Sequence, residues 1–388
     1  MPDIAPEQKL TRAKLNIALA IMLVAIIGVA MSMTLPLLSL RMDQAGWSGA
    51  MIGFNTSFMA LATLSLAPFI PALAKQFGIR ALLVTALLTG ATATLGFGWA
   101  QSIWVWFGLR FMLGCSLTIL FILSEFWINA AAPDDRRGLI MGIYGTVLSV
   151  GFASGPLVLQ HTGTVGEAPL VLAAGIFALA LLPVWLAGQQ SPQMDGHAGL
   201  GFVSLLRSAP VAALAALLFG AVETGAFSVL PVYGLRIGLD DQASAMQITA
   251  VALGNLFFQI PFGLLADRVD KRRLLLLIAS LAGLIMLVIP FLPPHSWLYL
   301  ASLCLWGGVA ASLYSVGLAL LGAQFHGAAL VAANALFVML YATGQMFGPP
   351  LLGLAMDMVN PHGYIWASAS LFGLYVGVTL IFGRNRQV

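Results

Sequence analysis

Apolar stretches of about 20 residues recur from one end of this chain to the other, and that recurrence limits what the sequence can fold into. Crossing roughly 30 Å of hydrocarbon at 1.5 Å per residue takes about 20 residues, and backbone groups in lipid must find their partners within the segment. Each stretch therefore predicts a membrane-spanning α-helix. The predicted spans are 15–39, 47–73, 81–99, 103–130, 139–160 and 168–188, then 209–234, 243–266, 274–292, 296–321, 330–354 and 363–383. A transmembrane β-barrel would show segments of about ten residues alternating polar and apolar, and none do. Composition agrees: 60% of the 388 residues are hydrophobic and 8% charged, outside the range of water-solvated domains. The expected fold class is an all-α polytopic membrane protein with twelve transmembrane helices in two six-helix bundles.

The first span follows Lys9, Arg12 and Lys14, and Gly28-Val29-Ala30 has the small residues of a leader cleavage site. Its apolar run is too long for a leader, so it counts as a helix. Short loops rich in Lys and Arg stay on the cytoplasmic side. With the N-terminus inside, 14 of the 17 basic residues fall on that side, only Arg41 and Arg236 fall outside, and Arg110 lies within a span. This predicts a bacterial inner-membrane location with both termini cytoplasmic. The net charge of +3 then reflects topology and lipid headgroups rather than nucleic acid. The two cysteines, Cys115 and Cys304, fall in apolar spans of different halves and support neither a disulfide framework nor a zinc site.

The halves repeat. Leu35-Pro36 to Leu40-Arg41 ends helix 1, and Leu230-Pro231 to Leu235-Arg236 ends helix 7, the same LPxxxLR pattern 195 residues on. Gly151, Gly155 and Pro156 in helix 5 recur as Gly344, Gly348 and Pro349 in helix 11, a GxxxGP pattern 193 residues on. Glycines four apart let two helix backbones approach closely, and the proline loosens the helix locally. Closely packed, bendable helices in both halves also suit two bundles that rock about a central site. The repeat divides the chain into a first half, 1–188, and a second half, 209–388. The segment 189–208, with Ser191-Pro192, Gly196, Gly199 and Gly201 and little charge, reads as a flexible cytoplasmic linker.

Where helix 8 leaves the membrane stands Gly263-Leu264-Leu265-Ala266-Asp267-Arg268-Val269-Asp270-Lys271-Arg272-Arg273. Gly263 permits close helix approach, and Asp267 can cap a neighbouring helix or pair with an arginine across the bundle. The plainer reading is a solvated turn whose Arg268 and Arg272 mark topology. The segment resembles the signature loop of the major facilitator superfamily, Gly-x-Leu-Ala-Asp-Arg-x-Gly-Arg-Lys, with Asp270 in place of the second glycine. The equivalent stretch between helices 2 and 3, Pro71 to Arg80, has Lys75 where the aspartate would be. Arg110 to Gly114 resembles the family's RxxxG on helix 4. Gly142, Gly151 and Gly155-Pro156 resemble the motif of its drug/proton antiporters, although Leu159 and Gln160 replace the closing glycine pair. The resemblance implies two pseudo-symmetric bundles, a central cavity lined by helices 1, 4, 7 and 10, alternating access and a lean towards export. The expected partners are a small-molecule substrate, protons and membrane lipid, and the chain is expected to work as a monomer.

An ionisable group in hydrocarbon costs about 2.5 to 3.5 kcal/mol, so each one is a functional candidate. Glu223, 14 residues into helix 7, and Arg110, within helix 4, fall in one layer some 10 to 17 Å from the outer surface. They are expected to share the cavity and to pair, with Glu223 the proton-binding residue and Arg110 its conditional partner. A static buried pair, or a glutamate bonded to a neighbouring helix, is the alternative. Glu125 lies about 22 Å nearer the cytoplasm than Arg110 and is assigned either to bracing helices 4 and 5 or to gating. Polar and aromatic residues with expected cavity exposure are Asn55, Phe227, Asn255, Gln259, Tyr314 and Asn334; each has interhelical bonding as an alternative role. Sixteen methionines raise the idea of a soft metal cargo, but methionine is an ordinary filler of apolar packing, and no resident metal or cofactor is expected.

No GxxxxGK[ST] loop is present, so the energy must come from a gradient. Asp134-Asp135 and Asp240-Asp241 lack a second acidic pair at helical spacing, which argues against an intramembrane enzyme. The function expected is proton-coupled secondary transport of a small solute in the export direction. A nutrient, siderophore or metal importer is the alternative, followed by a non-transporting receptor.

Overall fold

The computed structural model describes residues 6–131, 137–186, 209–325 and 327–384. Helix dominates throughout. α1 spans Pro6–Gln44 and α2 Gly49–Leu66, the latter continued by a single 3-10 turn and the short helix Ile70–Phe77. α3 is Ile79–Gly96, α4 Ile103–Ala131 and α5 Arg137–Thr162. α6 runs in two pieces, Ala168–Leu179 and Leu181–Leu186. The second series is α7 Pro210–Arg236, α8 Asp241–Arg268, α9 Lys271–Val288, α10 Trp297–Gln324, α11 Gly327–Met358 and α12 Gly363–Arg384. Ten of the twelve contain membrane-length apolar windows among the described residues. The other two, α8 and α11, are 28 and 32 residues long and run in the same bundle. Within the described residues every predicted span overlaps a helix of this series, although α1 runs beyond 15–39 at both ends and the second and sixth spans are each broken into pieces.

The helices start where the chain supplies a partner for the orphan N–H groups of their first turn. Ser48 accepts from Met51 at the start of α2 (3.2 Å), Asp240 from Ala243 at α8 (2.7 Å) and Ser296 from Tyr299 at α10 (3.2 Å). Asp270, where the family signature has glycine, accepts from Arg273 (2.9 Å) and caps α9. Along the lipid-facing sides, large apolar residues such as Leu88, Leu284, Leu374 and Ile381 are exposed, as hydrocarbon solvent allows. Trp99, Trp104 and Trp297 stand exposed at helix ends, the depth at which indole meets headgroups.

The two series pack by one scheme. α1 lies along α5 as α7 lies along α11, α2 along α4 as α8 along α10, and α3 along α6 as α9 along α12. The GxxxGP glycines make close approaches in both series. A Cβ at Gly151 would stand 2.7 Å from the Ala25 carbonyl oxygen, and one at Gly155 2.5 Å from the Met33 nitrogen, both on α1. One at Gly344 would stand 2.0 Å from the Leu217 oxygen, and one at Gly348 2.3 Å from the Ala221 Cα, both on α7. These obstacles are backbone, so a methyl group must push helices apart. Gly155→Ala and Gly348→Ala are each expected to destabilise the purified protein by about 1–3 kcal/mol, read as a lower melting temperature. Gly145→Ala, on the same helix as Gly155 with nothing within 4 Å, is expected to leave it unchanged.

Between the series, α2 runs along α11 and α5 along α8. Among the described residues, every hydrogen bond and ion pair joining the two halves lies towards one end of the molecule. That end carries the α1–α2 turn, the end of α5, the α7–α8 turn and the end of α11. Gln44 Nε2 donates to Asp241 Oδ2 (2.6 Å), and Gln242 Nε2 to the Gln160 carbonyl (3.0 Å). The Thr164 hydroxyl also bonds Asp241, and deeper in, Thr249 donates to Ala153 (3.0 Å) and Ser57 to the Met346 carbonyl. The halves are thus sealed at one end.

Candidate functional site

Away from the seal, aromatic rings and two carboxylates stand on the helices of the two halves. Phe152 of α5 and Phe227 of α7 meet across the interface with ring centroids 5.3 Å apart. In the second half, Tyr314 of α10 stands edge-on to Tyr341 of α11 (5.3 Å) and to Phe337 (5.1 Å), and Phe219 of α7 stacks on Tyr341 (5.8 Å). Glu223, the one acid within α7, projects onto the face of that helix that packs on α11, where the Tyr341 hydroxyl donates to its Oε2. Glu125 of α4 is exposed and receives the Tyr144 hydroxyl of α5 at Oε1 (2.9 Å), a bond that ties α4 to α5. Tyr314 packs edge-on to Tyr341, the residue whose hydroxyl bonds Glu223.

Arg110 is fully buried inside the first half, and its Nη2 donates to Thr56 Oγ1 of α2 (3.2 Å). Its Nε and Nη1 have no hydrogen-bond partner among the described residues. The expected Arg110–Glu223 pair is therefore not formed. Equal depth does not specify azimuth: Arg110 is on the side of α4 that packs on α2, and Glu223 on the side of α7 that packs on α11. Each is held by a hydroxyl of its own half.

The other expected residues divide. Phe227 and Tyr314 take the positions just described, and Asn334 is exposed. Asn255 is half-buried, with its Oδ1 unpartnered among the described residues. Asn55 is completely buried, with both amide atoms unpartnered among the described residues, and so does not have the cavity exposure expected of it. It precedes Thr56, the partner of Arg110, in the sequence. The side chains of Gln259 and Asp267 lie outside the described residues. Gly263 has no atom within 4 Å of a Cβ position, so in this conformation it serves no close approach. Its end of α8 is opposite the seal, where Arg268 is exposed and Arg272 half-buried. The cysteines Cys115 and Cys304 are free.

Sequence reasoning missed the residues that bind the repeat arginines. Arg41 donates through Nε to the Thr164 carbonyl (2.9 Å) and through Nη2 to the Gly166 carbonyl, fastening α1 to the α5–α6 turn. Arg236 donates to Asp357 Oδ1 at the end of α11 (3.0 Å) and faces Asp43 Oδ1 of the other half at 3.8 Å. The signal was available: two arginines at one repeat position, on the side poor in basic residues, with Asp357 alone at the end of an apolar helix.

The family model described as Major Facilitator Superfamily matches residues 20–248 and 237–387. An MFS-type transporter of Bacillus subtilis, YfkF, is 26% identical over 374 residues, covering 95% of this chain and 93% of its own. YcaD of Escherichia coli, also MFS-type, is 21% identical over 307 residues, 78% of each chain. Among solved structures, the nucleoside transporter NupG superposes with a TM-score of 0.74 at 15% identity, covering 94% of this chain and 96% of that one. A bacterial homolog of the human lysosomal transporter Spinster, inward-facing and occupied, superposes with a TM-score of 0.76 at 14% identity, covering 95% and 96%. Twelve helices in two equivalent bundles and a profile match to nearly the whole length agree: this chain is a membrane transporter of the major facilitator superfamily.

Proposed function

We propose that the protein moves a small solute across the bacterial inner membrane by alternating access, coupled to protons through Glu223 and running in the export direction. The observation that carries this reading is Glu223 itself. It is an acid at membrane depth, bonded to one tyrosine hydroxyl and with no ion pair among the described residues. A carboxyl so placed is favoured neutral while dry and ionises when water reaches it, so opening the site to one side or the other changes its proton occupancy. Basic-residue counting places the sealed end outside, which makes this conformation inward-facing with both termini in the cytoplasm. The glycine and proline spacing of α5 supports export. The Asp267 segment is proposed as the gating loop of the opposite end, with Arg268 and Arg272 beside it, and Glu125 as a brace of α4 and α5 next to that opening.

A stability screen of the purified chain against drugs, sugars, amino acids, siderophores and metal ions identifies a binder, because ligands of the folded state raise its apparent stability. That compound is then added to proteoliposomes holding the full-length protein and an imposed pH gradient. Expected is solute movement accompanied by dissipation of the gradient, absent from empty vesicles. Solute flux that leaves the gradient untouched overturns proton coupling, and binding without any flux overturns transport.

A further inference from the structure

We infer that Asp357 is an outer latch: a residue of one half that caps the first turn of a helix in the other, and so holds this end of the transporter shut. The first N–H groups of any helix lack intrahelical partners and carry the positive end of the helix dipole. In α2, Ser48 satisfies the N–H of Met51. The N–H groups of Gly49 and Ala50 are satisfied by a side chain some 308 residues further along the chain: Gly49 donates to Asp357 Oδ1 (2.9 Å) and Ala50 to Asp357 Oδ2 (2.7 Å). Both carboxylate oxygens are thus spent on the other half's helix terminus, in charge-assisted bonds of the stronger kind.

The packing around this contact shows that it belongs to the seal. A Cβ at Gly49 would meet the Gly353 carbonyl at 2.9 Å, one at Gly53 the Pro349 carbonyl at 2.1 Å, and one at Gly353 the Gly49 carbonyl at 2.0 Å. Backbone therefore lies close on backbone between α2 and α11, with the Met356 and Asp357 side chains packed at the Gly49 end. Arg236, from its own half, donates to Asp357 Oδ1 (3.0 Å) and fixes the carboxylate towards α2 while facing Asp43 across the seal. All of these contacts join the halves at one end only, so rocking that end open breaks them together. Water then replaces them at Asp357 and at the α2 terminus. A purely internal cap would be indifferent to that motion, whereas this one exists only in the closed state.

The latch does not depend on what ion drives transport, and it is tested without it. Nitroxide labels at His161, in the last turn of α5, and His295, in the turn between α9 and α10, both exposed and in different halves, report the outer gap by pulsed electron paramagnetic resonance. The full-length protein is used in proteoliposomes, with Cys115 and Cys304 replaced by Ala. Asp357→Ala is expected to raise the ratio of long to short distances about tenfold, equivalent to about 1.4 kcal/mol. Ala50→Pro removes one of the same bonds from the other partner, in a first turn where the N–H has no intrahelical role and proline is tolerated; it is expected to shift the ratio the same way. Arg236→Gln keeps the cap and is expected to shift it less. An unchanged distance distribution in Asp357→Ala, with or without a lowered melting temperature, would make Asp357 a static structural residue and overturn the inference. So would an Arg236→Gln effect larger than those of the two cap variants. Should Asp357→Ala fail to fold, Ala50→Pro decides alone by the same reading.

Discussion

Glu223→Gln is expected to reduce proton-driven transport to the level of empty vesicles while the protein still folds and inserts. Glutamine has the volume of glutamate, and its amide oxygen still accepts from the Tyr341 hydroxyl, so the contact between α7 and α11 survives. What it lacks is a proton to take up or release. Close by, Phe219 stacks on Tyr341, and a Cβ at Gly220 would stand 2.1 Å from the Tyr341 carbonyl, so α7 and α11 stay in close contact beside the substituted side chain. The measurement is solute flux under an imposed pH gradient, with expression and melting temperature as controls. Undiminished flux in the variant assigns coupling elsewhere, Glu125 of α4, which accepts from Tyr144, being the next candidate.

Arg110→Met tests the other intramembrane charge, and here stability and activity are expected to move in opposite directions. The guanidinium is fully buried, with one bond to Thr56 and two nitrogens unpartnered among the described residues. Retaining a charge there is costly, and an apolar side chain of similar length is expected to raise stability by about 2 kcal/mol, seen as a higher melting temperature. If the charge is kept for function, transport falls to background in the same variant. A stabilised variant with normal transport would mean that Arg110 serves neither coupling nor gating, and a destabilised one that Thr56 and its neighbours hold the charge better than its geometry indicates.

Most of the architecture was legible in the sequence because lipid enforces it. A backbone in hydrocarbon has no alternative to internal hydrogen bonding, so an apolar run of the right length is enough to specify a helix. The repeat was legible for a related reason. Gly151, Gly155, Gly344 and Gly348 had to be glycine because backbone approaches them within a Cβ's reach, and such a constraint leaves the same letters at the same spacing in both halves. Asp270 shows the limit of reading by motif. It departs from the family signature, yet the structure makes it the N-cap of α9, a role for which aspartate is well suited.

The site was less legible. Depth along a helix follows from counting at 1.5 Å per residue, and on that basis Arg110 and Glu223 share a layer. Which way each side chain points depends on which neighbour its helix packs against, and a hydrophobic chain with polar residues scattered singly carries little periodicity to show it. Thr56 gave no signal, since a threonine hydroxyl in a membrane helix is ordinarily satisfied by its own backbone, as Thr34 is, and Tyr341 and Tyr144 gave none because a tyrosine's reach to another helix depends on how the helices pack.

By itself the sequence therefore determined the number of helices, their division into two repeated series and the close contacts of the GxxxGP glycines, since each of these is a local consequence of solvation or backbone sterics. Only the tertiary structure decided that Glu223 answers to Tyr341 and Arg110 to Thr56, that the halves meet at one end, and that Asp357 caps a helix 308 residues away. Those are matters of azimuth and long-range juxtaposition, fixed by how whole helices pack rather than by the residues along any one of them.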